Sequence, residues 1–185
     1  KTSIKNPKIA LKNNNGFIPI DRKNEGLTLN FSVKQNLTLQ SIDELGSSFI
    51  IQESIENSIA EKWVKKLDIK TPNIEVEVKT LSGGNQQKIV LAREIERNPD
   101  LLLIGQPTRG VDIGAIEFIH QQIVALRDQG KAILLVSVEL DEILSLSDRI
   151  AVMFDGQIMG ERDPADTNEK ELGLLMAGVT GEASA

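Results

Sequence analysis

Three segments of the chain are apolar without alternation: Leu101–Ile104, Ala132–Val136 and Ile150–Phe154. Unbroken runs of this length read as strands covered on both faces. Between the first two, a helical period covers about Ala115–Gln129 and stops at Gly130. The two runs start roughly 30 residues apart, the size of a strand–helix–strand unit with parallel strands. A short helix over Glu139–Leu146 leads to the third run, and Asp155-Gly156 then turns the chain into Gln157–Gly160 as a hairpin. A last helix is predicted from about Thr167 to Met176, with Gly178–Ala185 frayed beyond it.

The first half has a different texture. Residues 1–15 are rich in Lys and Asn and show no period. Gly16–Ile20 reads as a short strand, ended by the polar stretch Asp21–Gly26. Residues 27–48 alternate only weakly and read as mostly irregular. From Ile50 to Leu67, apolar side chains recur every fourth residue (Ile51, Ile55, Ile59, Trp63, Leu67), an amphipathic helix that Pro72 closes off. Ser82 then caps a helix running to about Arg97, with Ile89, Ala92 and Ile95/Glu96 turned to the core. The pattern as a whole is a parallel α/β sheet with a helical segment inserted ahead of it.

Composition narrows the function. The chain has 185 residues, the size of one domain, and 40% of them are hydrophobic. A domain of this size buries roughly 70% of its unfolded surface. Its formal charge of −6 argues against binding a phosphate backbone, and 3% aromatics leave little to stack unpaired bases on. Cysteine is absent, which removes disulfides, zinc–thiolate sites and a thiol nucleophile, and His120 is the single histidine. The apolar runs are too short to cross a bilayer, and no signal-peptide pattern opens the chain.

The most informative stretch is Thr80-Leu81-Ser82-Gly83-Gly84-Asn85-Gln86-Gln87-Lys88. Two glycines at a capped helix start leave backbone N–H groups accessible, and the helix dipole adds positive charge there. No carboxylate occupies the first turn, so that end stays available to an external phosphate. From Ser-Gly-Gly alone, an ordinary serine cap with a tight diglycine turn is the simpler account. The segments that follow change the balance. LSGGNQQK, an apolar strand, Gly105–His120 with Pro107-Thr108-Arg109-Gly110-Val111-Asp112, and Leu135–Leu144 resemble the ATP-binding-cassette (ABC) ATPase family. Pro19-Ile20-Asp21-Arg22-Lys23 is similar to an upstream Pro-Glu-Asp-Arg segment of the same cassettes, and the likeness covers about residues 16–160. It is greatest to the second cassette of double-cassette importer ATPases, with the nucleoside branch ahead of simple sugars such as ribose and galactose.

The resemblance implies a partial P-loop NTPase fold, divided into a core remnant (1–26), a helical subdomain (27–80), the signature helix and core (81–164) and a C-terminal helix with tail (165–185). It implies ATP and Mg²⁺ in the full-length protein. Ser82, Gly83, Gly84 and Asn85 would contact a nucleotide held by a second cassette packed head to tail, with Asn85 standing where most members carry Gln. Asp112 resembles the aspartate that lines the contact between cassettes. The phosphate-cradling Gly-x-x-x-x-Gly-Lys-Ser/Thr is absent. The chain therefore reads as the C-terminal part of a cassette, inactive alone and prone to self-associate through sheet surface left uncovered.

The family's metal-ordering Asp and water-polarising Glu fall at Gly105 and Gln106, its histidine at Val138 and its upstream Gln or Glu at Ile20. Gln106 can orient a water but not accept its proton, a loss of about 10²–10⁴ in rate. No metal ligand is assigned in this chain. Glu139, Asp141 and Glu142 read as first-turn charges on a helix capped by Ser137, His120 as a partly exposed helix residue, and Asp148-Arg149 as tying the last strand to the core by an ion pair. The expected function is an importer ATPase at the cytoplasmic face of a bacterial membrane, working with transmembrane permease subunits, a partner cassette and no nucleic acid. Its own ATP site is expected to be degenerate. A non-catalytic scaffold or regulatory cassette is the alternative from another class.

Overall fold

The computed structural model describes residues 4–44 and 52–179, in two compact units that divide between Val136 and Ser137. The first unit opens with α1 (Pro7–Lys12) and β1 (Asn15–Ile18), followed by a single wide helical turn, Arg22–Gly26. Then come α2 (Val33–Thr38), a 3-10 segment (Leu39–Glu44), α3 (Glu53–Lys66), α4 (Gly83–Glu96), β2 (Leu101–Gly105), α5 (Ile113–Asp128) and β3 (Ala132–Val136). Strands β1, β2 and β3 lie side by side in that order, all parallel, with Phe17, Leu103 and Leu134 in one row. The strand–helix–strand spacing thus yields the parallel pairs expected.

The sheet is not covered on both faces as the bare apolar runs suggested. Ile18, Leu102 and Ile104 are buried, whereas Phe17, Leu134 and Val136 on the opposite face are 55%, 56% and 54% exposed. The cause is topological. Parallel crossovers are right-handed, and a strand order that never reverses places both connecting helices on one side. Helix α4 accordingly packs against both β1 and α5.

Residues 27–44 are not irregular. Ser32 and Gln35 form a reciprocal cap, each side chain accepting the other's backbone N–H at 3.1 and 2.9 Å, and this starts α2. Asn36, fully buried on α2, returns the chain to Thr28: its Oδ1 accepts the Thr28 N–H and its Nδ2 donates to the carbonyls of Thr28 and Ser32.

Helix α3 forms where predicted, although Ile50 and Ile51 lie outside the described residues. Its buried face is Glu56, Ala60 and Trp63, continued by Leu67, while Ile55 is exposed. A four-residue step overshoots a turn by about 40°, so an every-fourth stripe slides off the face it starts on. The helix also ends before Pro72, at Leu67, where Asp68 turns left-handed (φ 48°).

Helix α4 is buried nearly all round rather than along one stripe, from Gly84 through Glu94. Several of its polar groups are tied off inside, although Gln86 Oε1 has no hydrogen-bond partner among the described residues. Gln86 Nε2 donates to the carbonyls of Val78 and Leu81, Lys88 Nζ donates to the Asp68 carbonyl and lies over the Phe118 ring, and Glu94 accepts from the Phe17 N–H and the Gln40 side chain. Glu96 accepts from Trp63 Nε1 and Lys62 Nζ.

The second unit holds α6 (Leu140–Leu146), β4 (Ile150–Phe154), β5 (Gln157–Arg162) and α7 (Glu169–Met176). The third apolar run, β4, pairs antiparallel with β5 in a two-stranded sheet instead of joining the parallel one. Only one of its faces is covered: Ile150 and Val152 pack with Leu172 and Leu175, and Met153 is exposed. The Asp155-Gly156 hairpin is as expected, with φ of 46° and 75° at its two turn residues. Gly178 (φ 81°) closes α7 instead of fraying, while residues 180–185 lie outside the described set. Two local expectations are corrected. The N-cap of α6 is Glu139, whose N–H Ser137 Oγ accepts, and the ion pair of Arg149 runs across the exposed hairpin to Glu161 at 3.8 Å rather than to the core.

Candidate functional site

Ser82 sits in extended backbone (φ −62°, ψ 158°) immediately before α4, and its Oγ accepts from both the backbone N–H and the side-chain amide of Asn85. Asn85 is held from its other side, where Oδ1 accepts the Lys70 N–H at 2.8 Å. A shorter amide at this place therefore stitches the helix start to the segment after α3. Ser82 is exposed and Gly83 partly so, while Gly84 is buried. Among the described residues the N–H groups of Gly83 and Gly84 have no acceptor, which is the arrangement an anion requires.

The two glycines also have a packing role that the sequence did not disclose. A Cβ on Gly83 would lie 2.6 Å from Arg22 Nη2 and 2.7 Å from the Gly110 carbonyl. A Cβ on Gly84 would lie 2.8 Å from Ala115 Cβ and 2.9 Å from Asp112 Oδ2. The helix start and the Gly110–Asp112 loop thus touch, which brings Ser82, Gly83, Gly84, Asn85 and Asp112 into one neighbourhood. Asp112 caps α5, its Oδ1 accepting the Ala115 N–H at 3.0 Å. The loop before it is wound tightly, with Gly110 left-handed (φ 64°).

Gln106 stands at the end of β2, also left-handed (φ 41°), with its N–H donated to the Val136 carbonyl at 2.8 Å. Next to it, Gly105 is enclosed: a Cβ there would lie 2.6 Å from Ile20 Cγ1 and 3.3 Å from the Ile20 backbone nitrogen. Two of the positions that the resemblance matched to catalytic residues therefore pack on each other. Glycine brings no donor, glutamine brings a neutral amide, and the Ile20 side chain just past β1 lies where a Cβ at 105 would come. This donor set does not fit a divalent cation. Val138 is exposed and belongs to the second unit, and His120 is half-buried on α5.

The sequence marks Arg22 only as part of the Pro19–Lys23 segment, with no role assigned to it. Its Nη1 donates to the Arg109 carbonyl at 2.6 Å and its Nη2 to the Gly110 carbonyl at 3.0 Å, and burial lowers its pKa. Asp21, one residue earlier, caps the wide turn by accepting from Lys23 N–H, Asn24 N–H and Asn24 Nδ2. The Asn24 side chain and then its backbone N–H hold the Asp21 carboxyl below the usual carboxylate range. The Pro19–Lys23 segment was the available signal, its Asp21-Arg22 pair lying in the turn just beyond β1.

A parallel sheet, a serine-capped helix start with open N–H groups and a loop packed on it define the class of the domain as α/β. The chain belongs to the ABC transporter family, whose model matches residues 8–109. It is 48% identical over 167 residues to the guanosine import ATP-binding protein NupO of Bacillus subtilis, covering 89% of this chain and 33% of that protein. It is 49% identical over 166 residues to the nucleoside import ATP-binding protein NupA of Lactococcus lactis subsp. cremoris, covering 88% and 33%. The chain thus spans about a third of the length of these curated relatives. Among solved structures, a nucleotide-free ATP-binding cassette from an ABC transporter superposes with a TM-score of 0.70 at 22% identity, over 94% of this chain and 68% of that one. That likeness shows the ABC cassette fold, an α/β P-loop NTPase architecture with parallel sheet and helices. Among the described residues no helix is long and apolar enough to cross a membrane.

Proposed function

We propose that this chain is part of the ATP-hydrolysing subunit of an ABC importer for nucleosides, in which it completes an ATP site on a neighbouring cassette and hydrolyses poorly at its own. The observation that carries the reading is a contrast within one unit. Ser82 is exposed ahead of two free N–H groups, while the position matching the metal ligand is a glycine packed under Ile20. In this reading Ser82, Gly83, Gly84 and Asn85 meet the triphosphate of the neighbour and Asp112 lines the contact. Gln106 is left to orient a water at the weakened site. Residues 1–26 and 81–164 form the core, 27–80 the helical subdomain that meets the permease, and 165–185 the C-terminal helix and tail. The protein would work at the cytoplasmic membrane face. ATP and Mg²⁺ would be handled at the competent site, and no step is assigned to a metal at Gly105 and Gln106.

Nucleosides are favoured over simple sugars because both relatives near half identity carry nucleoside or guanosine import in their names. The test is ATP turnover by the intact transporter with Ser82→Arg and, separately, Gln106→Ala. Ser82→Arg should abolish most turnover and Gln106→Ala little of it; equal losses would overturn the asymmetric reading. Uptake competed by nucleosides supports the assigned cargo, and competition by ribose or galactose alone replaces it with a sugar. A transporter that runs at full rate without this cassette's serine would make the cassette a scaffold.

A further inference from the structure

One side chain spans the two elements that the proposed function turns toward the neighbouring cassette. Arg22 reaches from the turn after β1 and places its two terminal nitrogens on consecutive carbonyls, those of Arg109 and Gly110. The same Nη2 fills the space over Gly83, whose missing side chain is what admits it. Immediately beyond, Gly84 is in close contact with Asp112 and Ala115. Arg22 is itself fixed at its base, because Asp21 binds the N–H groups of Lys23 and Asn24 and so holds the turn that carries it. A planar fork with paired donors suits two adjacent carbonyls. The point charge of lysine can satisfy one of them but not set the angle between them.

We propose that Arg22 is a positioning residue: it locks the Arg109–Asp112 loop onto the Gly83–Gly84 helix start, so that Ser82 and Asp112 reach the neighbour's ATP as one edge. This rests on the proposed function. Arg22 does not touch nucleotide in it; its effect passes through the loop and the glycines. Loss of the fork leaves the Arg109 and Gly110 carbonyls to water, which can satisfy them near the surface, but the loop is then free to move relative to the serine. Misplacement by about 1 Å can cost on the order of 10²-fold in rate. ATP affinity is set by the neighbour's own phosphate cradle and should be little affected.

The experiment uses the intact transporter ATPase and measures turnover against ATP concentration for Arg22→Met, Arg22→Lys and Ser82→Arg, with a thermal melt of each. Arg22→Met should lower kcat by about 10–100-fold with KM for ATP unchanged, and Arg22→Lys should recover part of the loss. A folded Arg22→Met protein with unaltered kcat, or one whose KM rises while kcat holds, overturns the proposal. If the methionine variant does not fold, Arg22→Lys assayed below its melting point decides the matter, and full kcat there overturns it. Ser82→Arg separates the two levels. If that variant keeps its turnover, the underlying reading of the site fails. If it is inactive while Arg22→Met is normal, only the role of Arg22 fails.

Discussion

Gly105 and Ile20 sit on adjacent strand ends, and the distance between them decides what either position can become. An aspartate placed at 105 must push Ile20 or the backbone nitrogen behind it, since its Cβ alone would come within 2.6 Å of Ile20 Cγ1. Overpacking of this kind costs about 1–3 kcal/mol. Gly105→Asp should lower the midpoint of urea unfolding accordingly, and Ile20→Ala in the same chain should restore much of the loss, a coupling that a double-mutant cycle reads directly. Under the proposed function, Gly105→Asp with Gln106→Glu should fail to raise ATP turnover of the intact transporter unless Ile20 is shortened as well. The sequence told what Gly105 lacks, because a residue without a side chain cannot ligate. It could not tell that the space is filled, because the residue that fills it lies 85 positions away in the chain. The role of Arg22 stayed hidden for the same reason: its partners are carbonyl groups, which no residue type announces.

At the scale of elements, the features set by neighbours in sequence were legible and the facing of the elements was not. Asp155 and Gly156 both adopt positive φ, as a two-residue hairpin demands, and their identity alone located the turn. Gly156→Val puts a branched side chain into that left-handed position and should cost about 1–2 kcal/mol, visible as earlier melting of the second unit. Helix α2 was equally local, since Ser32 and Gln35 stand at capping-box spacing. Weak alternation over residues 27–48 hid them. What holds α2 in place is Asn36, which is fully buried and bonded to both backbone groups of Thr28. Asn36→Ala should destabilise the first unit by about 1–3 kcal/mol in denaturant unfolding, because the half-buried Thr28 groups and the Ser32 carbonyl lose a fully buried partner. By contrast, the buried faces of α3 and α4 are chosen by what packs on them. That is why Ile55 lies outside and Gln86, Lys88 and Glu94 lie inside.

For the whole molecule, the dominant fact is the apolar face of the parallel sheet that carries Phe17, Leu134 and Val136. The strands were found correctly from their composition, but their coverage depends on the sense of every crossover, which no local pattern contains. Exposed apolar surface of this sort drives association. The 185-residue chain, prepared alone, should therefore show a light-scattering mass that grows with concentration, and Leu134→Lys should reduce it. A constant mass of 20.3 kDa at high concentration would contradict this.

The binding of Glu94 and Glu96 has a mechanical corollary. Helix α4 is 14 residues long, roughly 21 Å of rod. Its far end is gripped by Gln40, Lys62, Trp63 and the Phe17 amide, and its near end is the serine tip. A rod neither stretches nor buckles cheaply, so α4 fixes the separation between the Trp63 end and the Ser82 tip, and the packing along its length holds both in one frame.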